Sequence, residues 1–219
     1  MEREERFYFD IWIALLSLLA GMVNVISLLL FFIPTAHFTG NITQFVLAFN
    51  EGNWSTMLEL LGLILCFLCG GILSGMLFSK KRCEPTKRYG LLLIMFGSMM
   101  LLLFIFGLRD ERWLYFFSFV VGTQNGMFIF YHGIIVRTSH FTGYLTDIGV
   151  VLGRLIRGQI KDRWKVLFYF TSMVCFGIGG TISFLLYEKF GAATIIAVGI
   201  GYIIVGSYYF SFRKAFYVK

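Results

Sequence analysis

The heptad "HFTGNIT" occupies residues His37 to Thr43, and the heptad "HFTGYLT" occupies residues His140 to Thr146. Two further blocks repeat around them in the same order. "GMVN" at residues 21–24 and "GTQN" at 122–125 precede the heptads, whereas "CFLCGGILS" at 66–74 and "CFGIGGTIS" at 175–183 follow them. Three matched blocks in one order predict a duplicated chain with halves at residues 1–108 and 109–219.

The composition places both halves in a lipid bilayer. The 219 residues are 58% hydrophobic and only 14% charged, which is too few charges for the surface of a soluble domain of this size. Several apolar runs reach the 18 or more residues with which an α-helix crosses the hydrocarbon core. The sequence therefore predicts an all-α membrane protein with six transmembrane helices. The predicted spans are roughly 8–31, 56–78, 90–108, 113–135, 166–187 and 192–212.

The distribution of positive charge predicts the orientation of these spans. The loop at residues 79–88, "SKKRCEPTKR", is the densest basic segment and is expected in the cytoplasm. Counting spans from this loop puts both termini and the basic connection 137–165 inside, and it puts the connection 34–55, which lacks Lys and Arg, outside. The net charge of +7 then reflects cytoplasmic loops rather than nucleic-acid binding.

Three spans per half force the second half into the membrane upside down, so the chain is predicted to be a 3+3 inverted-topology repeat. Each half also carries a short HFTG-led helix, expected at residues 40–50 and 143–158. Thr39 and Thr142 are predicted as the N-caps of these helices. If the two helix starts meet near the midplane, their free N–H groups face a polar or anionic solute.

Nine residues are the predicted solute site. The substrate-binding residues are His37, Thr39, Gly40, His140, Thr142, Gly143, Asn24, Asn125 and Arg137. Two alternatives remain open: HFTG is a tight turn whose glycine lets two helices approach, and the asparagines are interhelical hydrogen-bonding groups. Arg137 breaks the symmetry of the repeat, because Pro34 occupies the matching position. Its side chain either binds an anion or extends to the headgroups.

Ionisable groups near the heptads are the candidates for proton coupling. Asp147, His37 and His140 are predicted for this role, although Asp147 also fits a residue placed only to complement a helix dipole. His132 is predicted to be interfacial. Cys66-x-x-Cys69 lacks a second ligand pair and is interpreted as packing, so no metal site and no cofactor are predicted.

The repeated G-x-x-N and HFTG-x-x-T pattern, with "VRTS" at 136–139 before the second copy, resembles the YoaK family of bacterial membrane proteins over nearly the whole chain. The resemblance implies a six-span inner-membrane protein of a family without an assigned function. The residues themselves favour a permease, either transporter or channel, and not an enzyme. The alternative is a non-transporting sensor, scaffold or assembly protein. The expected partners are the lipid bilayer, a small-molecule solute and, since six spans are few for one pathway, a second copy in a homodimer; no nucleic acid is expected.

Overall fold

The computed structural model of the protein describes residues 3–78, 86–107, 110–127, 134–159 and 162–217. Within these ranges the elements are α-helices and one 3-10 turn. The helices are α1 (Arg3–Phe31), α2 (Phe38–Asn50), α3 (Trp54–Leu77), α4 (Lys87–Ile105), α5 (Arg112–Gly126), α6 (Phe141–Ile156), α7 (Arg163–Phe190) and α8 (Thr194–Tyr217), with the 3-10 turn Gly191–Ala193 between the last two. Most of the basic loop, at 79–85, and His132 lie outside the described residues.

Four helical stretches of the described chain have the length and apolar composition to cross a membrane. They are Phe7–Phe31, Trp54–Leu77, Lys87–Ile105 and Arg163–Ser211, the last of which contains α7 and most of α8. Large apolar side chains on α3, including Leu58, Leu65 and Ile72, point away from the protein rather than into its core. Such exposed apolar surface is expected of helices that face lipid. The prediction of an all-helical, membrane-type protein is confirmed at this level.

The fourth predicted span, 113–135, is longer than the helix that the structure describes there, and residues 128–133 lie outside the described ranges. The helix α5 ends at Gly126, and Ile134 and Ile135 are not helical. Its fifteen residues measure about 22 Å, which is short of the roughly 30 Å hydrocarbon core. The apolar run does not reveal that Asn125, near the end of α5, bonds to Ser139 farther along the chain.

Glycines bring the long helices into contact in three main pairs: α1 with α7, α3 with α5, and α4 with α8. A Cβ atom on Gly21 would overlap the carbonyl oxygen of Phe176, and one on Gly122 would overlap the carbonyl oxygen of Phe67. Because these neighbours are backbone atoms, only glycine permits the observed separation. The short helices pack on the outside of two of these pairs, α2 against α3 and α6 against α7.

The helix α1 contacts α5, α7 and α8 and carries the centre of the core. Its Trp12 is fully buried and lies against the rings of Tyr89 and Tyr209, with centroids 5.7 and 4.6 Å away. This aromatic cluster joins α1 to α4 and α8. The core therefore holds the long helices together. The short helices pack on different pairs of them, α2 on the α3–α5 pair and α6 on the α1–α7 pair.

Candidate functional site

The first heptad follows a segment that turns back along α1. Phe32, with a positive φ of 59°, begins the reversal directly after the helix ends. The carbonyl of Ile33 then accepts from the Ser27 hydroxyl at 2.8 Å, and the N–H of Ala36 donates to the Asn24 side-chain oxygen at 2.8 Å. Ile33 thus binds the last turns of α1, and Ala36 binds one turn earlier. Residues 32–37 therefore run back alongside α1 and are called the first descending segment.

The descent ends halfway down α3. The ring of Phe38, the first residue of α2, lies 4.0 Å from the ring of Phe67. Phe67 comes thirteen residues after Trp54, the first residue of α3, which corresponds to about 20 Å of helix. The other end of α2 is beside the start of α3, where Phe49 contacts Trp54 with centroids 6.0 Å apart. The helix α2 therefore covers the first half of α3 and begins near its middle.

The second heptad has the same arrangement, and residues 134–139 before it are the second descending segment. The side-chain oxygen of Asn125 accepts from the N–H of Ser139 at 3.2 Å. The ring of Phe141, the first residue of α6, lies 4.6 Å from that of Phe176. Phe176 again comes thirteen residues after the start of its helix, at Arg163. Both short helices thus begin at the midpoint of the long helix on which they pack.

One difference between the descending segments explains two further side chains. Pro34 has no N–H group, and its carbonyl accepts from the Asn41 amide at 2.8 Å. Arg137, at the matching position, has an N–H that donates to the hydroxyl of Tyr144 at 2.8 Å. The residue seven positions later is thus a donor in one half and an acceptor in the other. A hydrogen bond between these two positions is therefore present in both halves, although the residues differ.

The prediction of Thr39 and Thr142 as N-caps is wrong. The helices begin at Phe38 and Phe141, and the N-cap residues are His37 and His140, whose side chains make no capping hydrogen bond. The N–H of Asn41 already donates to the carbonyl of His37 at 3.1 Å, which moves the start of the helix ahead of the threonine. Threonine is preferred as an N-cap, but the backbone bond decides the boundary.

The glycine of each heptad makes room for the histidine of the same heptad. A Cβ on Gly40 would lie 2.9 Å from Nδ1 of His37, and a Cβ on Gly143 would lie 2.8 Å from Nδ1 of His140. Each imidazole therefore packs against the first turn of its own short helix. These contacts do not match the alternative in which the HFTG glycine brings two helices together.

A cavity of about 590 Å³ lies where the two short helices begin. Twelve of its lining residues form six pairs from matching positions of the two halves: Asn24 and Asn125, Ala36 and Ser139, His37 and His140, Phe38 and Phe141, Thr39 and Thr142, Phe67 and Phe176. The remaining four are Gly71, Gly122, Gly126 and Arg137. Both heptads thus contribute to one cavity.

The structure brings together the predicted site residues except Gly40 and Gly143, which lie beneath the histidines and do not line the cavity. Asp147 also lies away from the lining, beside the phenol of Tyr169 on α7. The sequence analysis did not predict the phenylalanine walls of the cavity, which are formed by Phe38 and Phe67 on one side and by Phe141 and Phe176 on the other. Phe67 and Phe176 stand in the matched blocks after the heptads, so the repeat contained that signal, but nothing in an apolar block distinguishes a cavity wall from a lipid-facing side chain.

Arg137 is the only charged residue among those that line the cavity. Within the part of the chain that the structure describes, its guanidinium forms no ion pair. No carboxylate lines the cavity to balance it. The N-terminal ends of α2 and α6 open onto the same space and add partial positive charge. The charged and dipolar groups of the lining are therefore positive.

A buried network anchors the second heptad segment to the core. The Gln124 amide nitrogen donates to the carbonyl of Leu16 at 2.8 Å and to the hydroxyl of Thr138 at 2.7 Å. The hydroxyl of Tyr202 donates to the amide oxygen of the same glutamine at 2.7 Å. These bonds connect the segment before α6 to α1 and α8, and they account for the polar side chain at residue 124.

Comparison with known proteins adds a family and no activity. The family described as a protein of unknown function, DUF1275, matches residues 12–208. YoaK is a member of that family, so the resemblance deduced from the repeated motifs is confirmed. No curated protein and no solved structure matches the chain.

Proposed function

The chain belongs to the DUF1275 family, and we propose that it is an inner-membrane permease for a small polar or anionic solute. The central site lies in the cavity shared by the two heptads. The observation that carries the proposal is the composition of its lining, in which residues from matching positions of both halves, polar and aromatic, surround one cavity between long apolar helices. Binding sites at the interface of two repeats are the common arrangement in secondary transporters.

The proposal takes the two halves as a 3+3 inverted repeat. Reciprocal contacts support this view. Gly21 meets Phe176 where Gly122 meets Phe67, so each glycine of one half touches the phenylalanine of the other. The helices α4 and α8 also cross reciprocally, with Gly90 beside Gly206 and Gly97 beside Gly199. Exchanging the halves leaves this set of contacts unchanged, as a two-fold relation between them requires.

The half-length helices support a path through the bilayer. Each begins at the midpoint of a long helix and runs back towards the end of it, so its N-terminal end would lie near the membrane centre. Irregular backbone at that depth is tolerated where it lines a cavity. The segments ahead of α2 and α6 meet this condition, because Ala36 and Ser139 line the shared cavity.

The orientation follows from charge. Both termini and the basic connection 137–165 are assigned to the cytoplasm, and the connection 34–55 is assigned to the opposite side. The inverted repeat then requires that the ends of α2 and α6 lie on different sides of the membrane. Single-cysteine labelling at Asn50 and at Lys161 in intact cells is expected to modify only Asn50→Cys. Modification of both from one side would overturn the inverted arrangement.

Transport is tested with purified protein in liposomes. We expect flux of at least one member of a panel of nitrate, acetate, benzoate and urea. His140→Ala and His37→Ala are each expected to reduce that flux about tenfold, the effect of roughly 1.4 kcal/mol at the site. Thr146→Ala is the control, because Thr146 lies on α6 outside the cavity lining and bonds to the carbonyl of Thr142 at 3.1 Å.

The competing function is a sensor, scaffold or assembly protein in which the repeat is only architecture. It predicts no flux of any panel member, and it predicts that both histidine variants lower the unfolding temperature alone. If flux occurs and depends on a proton gradient, the two histidines that line the cavity are the proposed coupling groups, ahead of Asp147. The permease proposal requires no enzymatic step, no metal and no cofactor.

A further inference from the structure

We infer that the central cavity takes an organic monoanion, with its charged group on Arg137 and its apolar body between two phenylalanine walls. This inference deepens the proposed function, since it names the solute class of the same site. A carboxylate on a small aromatic or branched body is the chemistry that fits.

The charge of the cavity selects an anion with one negative charge. Arg137 is the only charged side chain of the lining, and no carboxylate of the lining or ion pair with a described residue neutralises it. Arg137 is exposed, so its guanidinium is accessible to an anionic guest, and that guest would not have to displace a carboxylate of the lining. Because the planar guanidinium fork matches a carboxylate in a bidentate fashion, a carboxylate fits better than a spherical ion.

The walls select an apolar body. Phe38 and Phe67 form one ring pair at 4.0 Å, and Phe141 and Phe176 form the matching pair at 4.6 Å. All four line the same cavity, so aromatic surface is contributed from both halves. An inorganic anion such as chloride or nitrate does not cover the ring surface that borders the cavity. A planar or branched carbon body covers them and gains the stabilisation of apolar burial.

The size of the cavity agrees with a small organic molecule. Its volume of about 590 Å³ is in the range of pockets that enclose metabolite-sized or drug-sized ligands. Asn24 and Asn125 also line it, but each already bonds to the descending segment of its own half. Their remaining hydrogen-bonding capacity suits one additional polar group on the solute rather than a second charge.

Binding in detergent tests this inference without reference to transport. Benzoate is the probe, benzamide is its neutral isostere and chloride is the inorganic comparator, each titrated by isothermal calorimetry against the full-length protein. Benzoate is expected to bind at least tenfold more tightly than either comparator. Arg137→Gln is expected to remove that preference, because a hydrogen-bonded charge is lost, an effect of about tenfold or more. Equal affinity for benzoate and benzamide, or no binding of benzoate, would overturn the inference.

Two variants make the test specific. Arg154→Gln removes a cation from α6 that lies near Asp162 and outside the cavity lining, so it is expected to leave benzoate binding unchanged. Arg137→Lys keeps the charge but not the fork, and an intermediate affinity is expected. If Arg137→Gln does not fold, the benzoate, benzamide and chloride series on the unaltered protein still decides the question.

The outcomes separate this inference from the permease proposal. Selective benzoate binding without flux of any solute in liposomes would leave the anion site standing and remove the permease. Flux of urea or nitrate without any preference for benzoate would leave the permease standing and remove the organic-anion site. Chloride binding as tight as benzoate binding would show that the phenylalanine walls do not contribute to selection.

Discussion

The two heptad segments share a backbone path but differ in how firmly they are held. Asn24 and Ser27 bond to the segment before α2 through one contact each. The segment before α6 is bound by Asn125 and by Gln124, which also reaches α1 and Tyr202 of α8. The duplicated residues thus set the common geometry, and residues that occur in one half only determine how rigidly each copy is fixed.

A buried threonine shows the same contrast at one atom. The hydroxyl of Thr138 accepts from the Gln124 amide at 2.7 Å. Thr35 occupies the matching position, and Val23 stands where the second half has Gln124. The Thr35 hydroxyl is fully buried and has no hydrogen-bond partner among the described residues. The segment before α6 thus has a hydrogen-bonded network at this position, whereas the matching position before α2 has an unsatisfied group within the described residues.

The long helix pairs differ in the same direction. Ser74 of α3 donates to the carbonyl of Thr123 on α5 at 2.7 Å, and Ser118 of α5 donates to the carbonyl of Leu63 on α3 at 2.7 Å. At the matching positions, Ser17 bonds within its own helix at 3.2 Å, and the buried Ser183 hydroxyl finds no partner in the described ranges. The α3–α5 contact thus carries two side-chain hydrogen bonds that the matching serines, Ser17 and Ser183, do not make between α1 and α7.

The largest expected effect tests whether the shared geometry depends on the glycine crossings. Gly70→Ala places a methyl group against the Phe119 carbonyl and within 2.7 Å of the Thr123 nitrogen. Because both neighbours are backbone, the helices must separate, and we expect a loss of about 3 kcal/mol or more of unfolding free energy. Gly179→Ala, which meets the Leu18 carbonyl, should have a similar cost. Thermal unfolding in detergent, followed by tryptophan fluorescence, measures both.

Neighbouring glycines are the controls. Gly71 and Gly177 have open space where a Cβ would be placed, so their alanine variants should be neutral or slightly more stable, given the higher helix propensity of alanine. If Gly70→Ala and Gly71→Ala unfold at the same temperature, the crossings do not determine the fold. A large loss for Gly70→Ala with none for Gly179→Ala would show that the two halves no longer pack in the same way.

A second prediction sharpens the difference between the halves. Gln124→Leu removes partners from the Tyr202 and Thr138 hydroxyls, which are buried, and should cost about 2 kcal/mol. Tyr202→Phe alone should cost about 1 kcal/mol, and the double variant should cost less than the sum, because the two side chains share one bond. Chemical unfolding in mild detergent provides the four free energies of this cycle. Strict additivity would mean that the bond does not contribute.

The descending segments could be anticipated because their signal is repetition. Two copies of HFTG predicted two short helices that start in corresponding places, and the structure places His37 and His140 on one cavity. The end of α5 could not be anticipated in this way. Residues 127–135 are apolar enough in sequence to continue a helix, whereas Asn125 bonds to Ser139 and Gln124 bonds to Thr138. Such bonds join positions fourteen residues apart, which no local pattern reports.

The walls of the cavity illustrate the second limit. Phe67 and Phe170 are aromatic residues within long apolar helices, yet Phe67 lines the cavity and Phe170 is exposed on the outer surface. In a soluble protein, exposed and buried positions differ in polarity, but a helix in lipid is apolar on all sides. Hydrophobic periodicity therefore gives the number and length of helices and does not indicate which face meets a solute.

The smallest expected effect concerns the starts of α3 and α7, where the same position has changed its role. Asn53 is the N-cap of α3, and its side chain accepts from the N–H of Thr56 at 3.2 Å. Asp162 is the N-cap of α7 and makes no capping bond, but it pairs with Lys165 at 2.9 Å.

Asn53→Ala should cost about 1 kcal/mol, the usual value of a cap. Asp162→Ala should cost less than about 1 kcal/mol, because its ion pairs lie near the surface and are screened. Raising the salt concentration should reduce the Asp162→Ala effect and leave that of Asn53→Ala unchanged, which thermal unfolding at two ionic strengths measures. An equal salt dependence of the two variants would mean that both helix starts are held by the same kind of interaction.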